Sequence, residues 1–293
     1  MIADILPTLS WPAEIALGSA TDFASPARGA ASASTLGGRL PTTLRWSEKT
    51  IRQIAVRRGP RMSTFGMCCK ALVRETWLRH VRRINFRTAQ NHVACAAYSA
   101  MTVAEFADIN RKQAWANWRS IPRNLSGRLP ARPIHAIDLC CGIGESTAVL
   151  ACYAAPGSHV LGLEYNPKFV EAARRTRYSA LDGSRVAVAF RTQSVLEDFR
   201  DALGARVRRE SIDLINASGA VGCHFAPADA RRLARECGRV LKPHGLALVD
   251  SGYDGLDAAA LDEIFADEGF EIVGRAVSCP LDRRAQLCLR RTV

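Results

Sequence analysis

From residue 134 onward, short apolar runs alternate with longer stretches whose apolar residues recur at helical spacing. The runs are Ile134–Leu139, Val160–Leu163, Val186–Phe190, Ile212–Asn216, Leu246–Asp250, Phe270–Val273 and Ala285–Arg290. Short apolar runs of this kind are expected of strands buried on both faces. Helical patterning starts at Glu145 and covers Pro167–Ala180, Val195–Leu203, Pro227–Leu241 and Leu256–Glu268, with Pro167 suited to a first helical turn. Strand–helix alternation predicts an α/β architecture, a seven-stranded and mostly parallel sheet covered on both faces. The last two runs have no helix between them, which predicts a closing hairpin and one antiparallel strand.

Ahead of this block the pattern changes. Leu72, Trp77, Val81 and Ile84 recur at helical spacing with Arg74, Arg79, Arg82 and Arg83 interleaved. Val93, Ala97, Met101, Phe106, Ile109 and Trp115 carry helical patterning on through Thr88–Trp118, with breaks expected at Pro122 and at Leu129-Pro130. Residues 18–43 are rich in Ala, Ser, Gly and Thr, a composition that does not build a core. Three segments follow: a disordered leader over 1–61, a basic helical extension over 62–132 and the α/β domain over 133–293. Met62, after Arg57-Arg58-Gly59-Pro60-Arg61, is a candidate start of the functional protein.

Composition adds limits. Apolar residues make up 48% of the 293, enough for a sizeable core. No run approaches the roughly twenty apolar residues that span a bilayer, so no membrane span is expected. A secretion signal is also missing from the leader. The net charge of +12 is uneven: +3 over residues 1–60, +10 over 61–132 and −1 over 133–293. The basic segment is expected either to be a solvated Arg-rich face of packed helices or to attract a polyanion such as nucleic acid. Ten cysteines include no Cys-x-x-Cys pair, and neighbours such as Cys68 and Cys69 are too close for ordinary bridges. Reduced, buried thiols in a cytoplasmic protein, with no metal site, are expected.

The candidate chemistry lies at the first run. Ile134–Leu139 leads into Cys140-Cys141-Gly142-Ile143-Gly144 and then a helix from Glu145. A strand, a glycine turn and a helix N-terminus form a cradle for a nucleotide-type ligand. The next strand ends on Glu164, twenty residues after Gly144, where a carboxylate would meet a ribose diol. A dinucleotide fingerprint wants Gly or Ala at position 147, and Thr147 stands there. With Asp138 closing the strand, the stretch resembles motif I of the class I S-adenosylmethionine-dependent methyltransferases, typically apolar-Asp-Leu-Gly-Cys-Gly-x-Gly. Cys140 replaces the first glycine, a change compatible with a position that needs no positive φ. Arg239-Val240-Leu241-Lys242-Pro243-His244-Gly245 is similar to the Arg-Val-Leu-Lys-Pro-Gly-Gly of that family, and Gly269-Phe270 to the opening of its sixth strand. The resemblance covers residues 133–293 and implies a Rossmann-like sheet, S-adenosylmethionine as cofactor, and a lid made by the helices before motif I.

The same resemblance implies roles by position. Glu164 would accept both ribose hydroxyls, with Tyr165 beside it. Cys140, Gly142 and Gly144 would bring backbone past the methionine and ribose parts. Asp138 would lie beneath that loop, tying down amides or reaching the ligand ammonium through water. Asn216 would line the methionine end, and Ser194 or Gln193 the adenine side, where the family commonly has Asp. Tyr98, Phe106, Trp115 and Trp118 from the lid, and Tyr253 after the fifth strand, are candidate pocket residues. His224, at the carboxyl edge of the sheet, is the candidate base. The Pro-Cys context of cytosine-C5 enzymes is absent around Cys223, and no Asn-Pro-Pro-Tyr follows the fourth strand. The expected function is methyl transfer to an O, N or C nucleophile of a small molecule. The alternatives are an RNA or protein methyltransferase that docks through residues 61–132, and an inactive cofactor-binding partner protein.

Overall fold

The structure, a computed structural model, describes residues 42–60, 64–252, 255–278 and 284–292. The Ala/Ser-rich segment up to residue 41, Met62 and Tyr253 lie outside the described residues. Four helices come first: α1 (Glu48–Arg58), α2 (Thr64–His80), α3 (Asn91–Ser99) and α4 (Val103–Leu125). The α/β block follows in the order β1 (His135–Leu139), α5 (Glu145–Tyr153), β2 (His159–Glu164), α6 (Pro167–Arg174), β3 (Ala187–Thr192) and β4 (Ile212–Ala217). It continues through α7 (Val221–His224), α8 (Pro227–Val240), β5 (Leu241–Asp250), α9 (Ala258–Ala266), β6 (Phe270–Ala276) and β7 (Gln286–Arg291).

The seven strands form one sheet in the order β3-β2-β1-β4-β5-β7-β6. Neighbours from β3 to β5 pair in parallel, and β7 runs antiparallel to both β5 and β6. One reversed strand is therefore inserted between two others, as the missing last helix predicts. Successive side chains of a strand face opposite ways, so β1 feeds two cores. Ile137 and Leu139 join Phe225, Leu233 and Phe265 on one face, whereas Ala136 joins Leu150, Tyr153, Ile121 and Leu125 on the other. The second face is thus covered by α4 as well as α5. The helix expected to belong to a lid is also a layer of the domain.

Three local expectations give way to tertiary contacts. Pro122 does not end its helix, because α4 continues to Leu125. The last turn is held from outside: Asn124 Nδ2 donates to the Gln286 carbonyl, and Arg123 reaches Glu48 and the Val277 carbonyl. Residues 195–203 form turns, not a helix. There the Phe199 and Arg200 amides are taken by the Glu236 and Gln193 side chains, and Phe199 is driven fully into the core. Residues 48–58, assigned to the leader by composition, form α1, capped by Ser47 and packed through Ala55 against Trp118.

Candidate functional site

The strand order reverses between β1 and β4, which opens a crevice at their carboxyl ends. The loop after β1 shapes its floor. Cys140, Gly142 and Gly144 all have positive φ, at 52°, 54° and 88°. Cys140 therefore keeps the left-handed backbone of the glycine it replaces, at a cost of about 1–2 kcal/mol for an L-residue. The condition under which the replacement would be free of strain, a position that needs no positive φ, is therefore not met. His244, where the family pattern has glycine, does the same at φ 63°.

Asp138 is fully buried beneath the loop. Its Oδ2 accepts from Ser146 Oγ at 2.8 Å and Thr147 Oγ1 at 2.5 Å, and its Oδ1 from Asn216 Nδ2 at 2.7 Å. Asn216 has no exposed surface and its Oδ1 accepts from Ser218 Oγ. The two residues clamp β1, α5 and β4 together, and the wall of the crevice passes to Ser218–Ala220. Burial outweighs the three neutral donors and pushes the Asp138 carboxyl up to about 6. Thr147, which argued against a dinucleotide site, is one of the clamp's donors.

Glu164 ends β2 at the lip of the crevice. Its Oε1 accepts from the Asn166 amide and its Oε2 from the Gly142 amide, both at 2.9 Å. The Tyr165 amide also acts on it, and a carboxylate has about four acceptor positions, so up to two remain for a ligand. Burial raises its carboxyl above the usual range against those N–H bonds. The crevice above it holds about 780 Å³ of empty space, part of it open to solvent. Cys140, Glu164, Tyr165, Ser194, Tyr98 and His224 line it. Gly142 and Gly144 do not: a Cβ on Gly142 would come within 2.8 Å of Phe106, and one on Gly144 would collide with the Tyr178 hydroxyl. Gln193 also borders the space, but its amide is spent on the Asp198 carbonyl and the Arg200 amide, which leaves Ser194 as the hydroxyl on that side.

The upper wall comes from α3 and α4. Asn166 Nδ2 donates to the Tyr98 carbonyl, and Lys168 donates to the Ser99 and Met101 carbonyls, which pins the end of α3 over the cradle. Phe106 stacks on Phe169 at 4.3 Å. Trp115 and Trp118 do not reach the crevice. A helix turns about 100° per residue, so Phe106, Ile109, Asn110 and Gln113 share a face while Trp115 points about 180° away. Trp115 instead lies under the Arg119 guanidinium, 3.7 Å from its ring centroid, and Trp118 is buried against α1.

His224 closes the far end. Its Nδ1 lies 3.1 Å from the Thr88 carbonyl, which can only accept, so Nδ1 carries the proton. A neutral ring then leaves Nε2 to accept from the Tyr98 hydroxyl at 2.9 Å. Burial lowers the His224 pKa, partly offset by the Thr88 bond, and keeps the ring neutral near pH 7. Periodicity gave no sign that Tyr98 and His224 would meet, 126 residues apart in sequence.

The donor set fits S-adenosylmethionine, whose ammonium and sulfonium are cationic and whose ribose offers a diol. Among the described residues, the crevice is lined by one carboxylate and by no lysine or arginine.

Residues 136–245 match the model of a methyltransferase-domain family. A demethylmenaquinone methyltransferase of Lactobacillus johnsonii is 30% identical over 114 residues, 38% of this chain and 40% of that protein. The chain thus spans less than half the length of this curated relative. A putative methyltransferase of Haloferax volcanii, solved with the Trm112 methyltransferase activator, is 16% identical over 68% of this chain and 96% of its own, with a TM-score of 0.49. A putative S-adenosylmethionine-dependent methyltransferase of Listeria monocytogenes is 11% identical over 62% and 99%, with a TM-score of 0.47.

Proposed function

We propose that this chain, residues 136–245 of which match a methyltransferase-domain family model, is a class I S-adenosylmethionine-dependent methyltransferase and transfers a methyl group to an O, N or C nucleophile of a small molecule. The observation that carries the reading is the half-buried Glu164 carboxylate, with acceptor capacity to spare, facing a crevice lined among the described residues by no lysine or arginine. When bound, the cofactor supplies a methyl on a sulfonium, whose bonding pair stays on sulfur as the acceptor's own pair forms the new bond.

The chain has three tasks. Glu164 holds the ribose end and Ser194 the adenine side, while the Ser218–Ala220 backbone flanks the methionine end. Tyr98, Phe106 and Phe169 exclude water. The acceptor's proton passes to the Tyr98 oxygen as the Tyr98 proton passes to His224 Nε2. His224 then becomes an imidazolium that donates to Thr88 and Tyr98, with the Thr88 carbonyl already in place.

The ion pairs of the basic segment favour a small acceptor over a polyanion. Lys70, Arg74 and Arg111 converge on Asp108, while Arg82 pairs with Glu105, Arg87 with Glu75, Arg123 with Glu48 and Arg132 with Asp213. These cations brace the helices. Calorimetry with S-adenosylhomocysteine, on wild type, Glu164→Gln and Glu164→Ala, tests the cofactor half. Binding that is absent, or indifferent to Glu164, refutes it. A salt titration of RNA binding tests the acceptor half, since each duplex phosphate contact would add a slope of about 0.9.

A further inference from the structure

Asn110 of α4 belongs to the upper wall of the crevice, yet neither the cofactor contacts nor the proton path uses it. Behind that wall lies a second cavity of about 1680 Å³ of empty space, counting the part open to solvent. Tyr98, Phe106, Asn110, Gly219 and His224 line both spaces, so they form a partition one residue thick. A methyl group that leaves the crevice for an acceptor on the far side passes these residues.

Most polar side-chain atoms around the partition are already engaged. The Tyr98 hydroxyl and His224 Nε2 hold each other, and His224 Nδ1 is held by the Thr88 carbonyl. On the same face of α4, Gln113 gives its Nε2 to Asn117 and Asp250, while its Oε1 accepts from Arg284. Asn110 differs. Its Nδ2 donates to Glu145 Oε2 at 2.9 Å, and its Oδ1 has no hydrogen-bond partner among the described residues.

Glu145 decides which end of that amide is left over. It opens α5 directly after Gly144, beside a hollow that Arg58 of α1 and Arg111 of α4 also line. Burial pushes its carboxyl up to about 7, against the Asn110 bond and the Arg111 charge. Once ionised, a carboxylate can only accept, so Asn110 must turn its Nδ2 toward it. Oδ1, the other branch of the amide, is then the polar atom that Asn110 offers to the crevice.

We propose that Asn110 is a specificity-determining residue of the cofactor site, whose Oδ1 receives the cationic sulfonium end of S-adenosylmethionine and so favours the methyl donor over its uncharged product. Glu145 is a positioning residue that acts through Asn110. An amide oxygen carries partial negative charge and attracts the polarised C–H groups around a sulfonium. The thioether left after transfer gains little from the same atom, so the product is held less firmly. The proposal rests on the methyltransferase reading and concerns the same site.

The test is calorimetry on the full chain at pH 8, above the Glu145 value. Three ligands that differ at one position are compared: S-adenosylmethionine, S-adenosylhomocysteine, and sinefungin, which carries an aminated carbon in place of the methylated sulfur. Asn110→Leu should weaken sinefungin at least about tenfold, because a charged N–H donor loses its acceptor. S-adenosylmethionine should weaken about threefold to fivefold, the range of a C–H contact, and S-adenosylhomocysteine less than about twofold. The last ligand is thus also the check that the variant folds. Glu145→Gln, which can bond either end of the Asn110 amide, should move the same ratios in the same direction by about twofold. Equal loss of all three ligands overturns the proposal, since it would place Asn110 in a structural role or at the amino-acid end they share. Unchanged affinity for both cationic ligands also overturns it. Wild-type ratios in Glu145→Gln would remove the positioning role of Glu145. Failure of all three ligands to bind wild type would instead sink the cofactor reading, and this proposal with it.

Discussion

The carboxylates of the helical layer and those at the carboxyl edge of the sheet are held in opposite ways. In the helical layer Asp108 receives Lys70, Arg74 and Arg111. Under β1, Asp213 receives Arg132 and Lys242 in the same manner. Burial opposes the effect, but these cations and hydrogen bonds bring both carboxyls below the usual range. At the sheet edge Asp138, Glu164 and Asp250 accept from amides and hydroxyls, Asp250 with the Arg284 charge nearby as well, and burial leaves all three raised. Glu145, whose Oε2 accepts from Asn110, is pushed up to about 7. An ion pair completes a carboxylate, whereas neutral donors hold it in place and leave its charge for something else. The edge built in the second way is where a cationic ligand gains most.

The largest break in this contrast is to remove the ligand-facing charge. Glu164→Ala should weaken S-adenosylhomocysteine about a hundredfold by calorimetry, from two charge-assisted bonds of about 1.5 kcal/mol each. Wild-type affinity should fall as pH drops, from a higher pH than an ordinary carboxylate would give, because the Glu164 pKa is raised. The Glu164→Gln profile should be flat over the same range.

Next in size is the proton path. His224→Ala should lower kcat about a hundredfold, the low end for a general base, with S-adenosylhomocysteine affinity unchanged within about twofold. Wild-type kcat should reach its plateau by about pH 7, because the His224 pKa lies below its ordinary 6.5. Tyr98→Phe should show the same rate loss and the same unchanged affinity. Loss of affinity in step with kcat in both variants would make the pair structural.

The clamp comes third. A folded-state pKa raised to about 6 makes the Asp138 contribution fully present below the unfolded value, near 4, and lost as pH rises through 6. Denaturant unfolding should register up to about 3 kcal/mol of that loss, with the same sign from Asp250. Asp138→Asn should flatten the curve between pH 4 and 6. Asp108 has the opposite sign: its contribution is present above the unfolded pKa and lost as pH falls through the lowered one. Asp108→Ala should cost about 1 kcal/mol, since Lys70 and Arg74 still reach water, and less at high salt.

The smallest effect tests the backbone alone. His244 is exposed at φ 63°, so His244→Gly should raise stability by roughly 0.5–1 kcal/mol in thermal unfolding and leave ligand affinity unchanged.

The sequence by itself determined the sheet and the crevice at its carboxyl edge. Apolar runs at strand length and helical periodicity between them are local signals, so seven strands, the reversed last strand and the place of Glu164 were all legible in the order of residues. Side-chain partners were not, because a partner is a matter of distance and not of sequence. Only the tertiary structure decided that Asp138 and Asn216 face each other, that Thr147 binds Asp138, and that Gln193 is spent on its own loop. Which face of α4 meets the crevice was likewise decided by packing, since α1 covers Trp118 and leaves Phe106 to line the crevice. Cys140 marks the boundary between the two kinds of information. Its departure from the family pattern was visible in one dimension, and its left-handed backbone only where strand, turn and helix had closed around it.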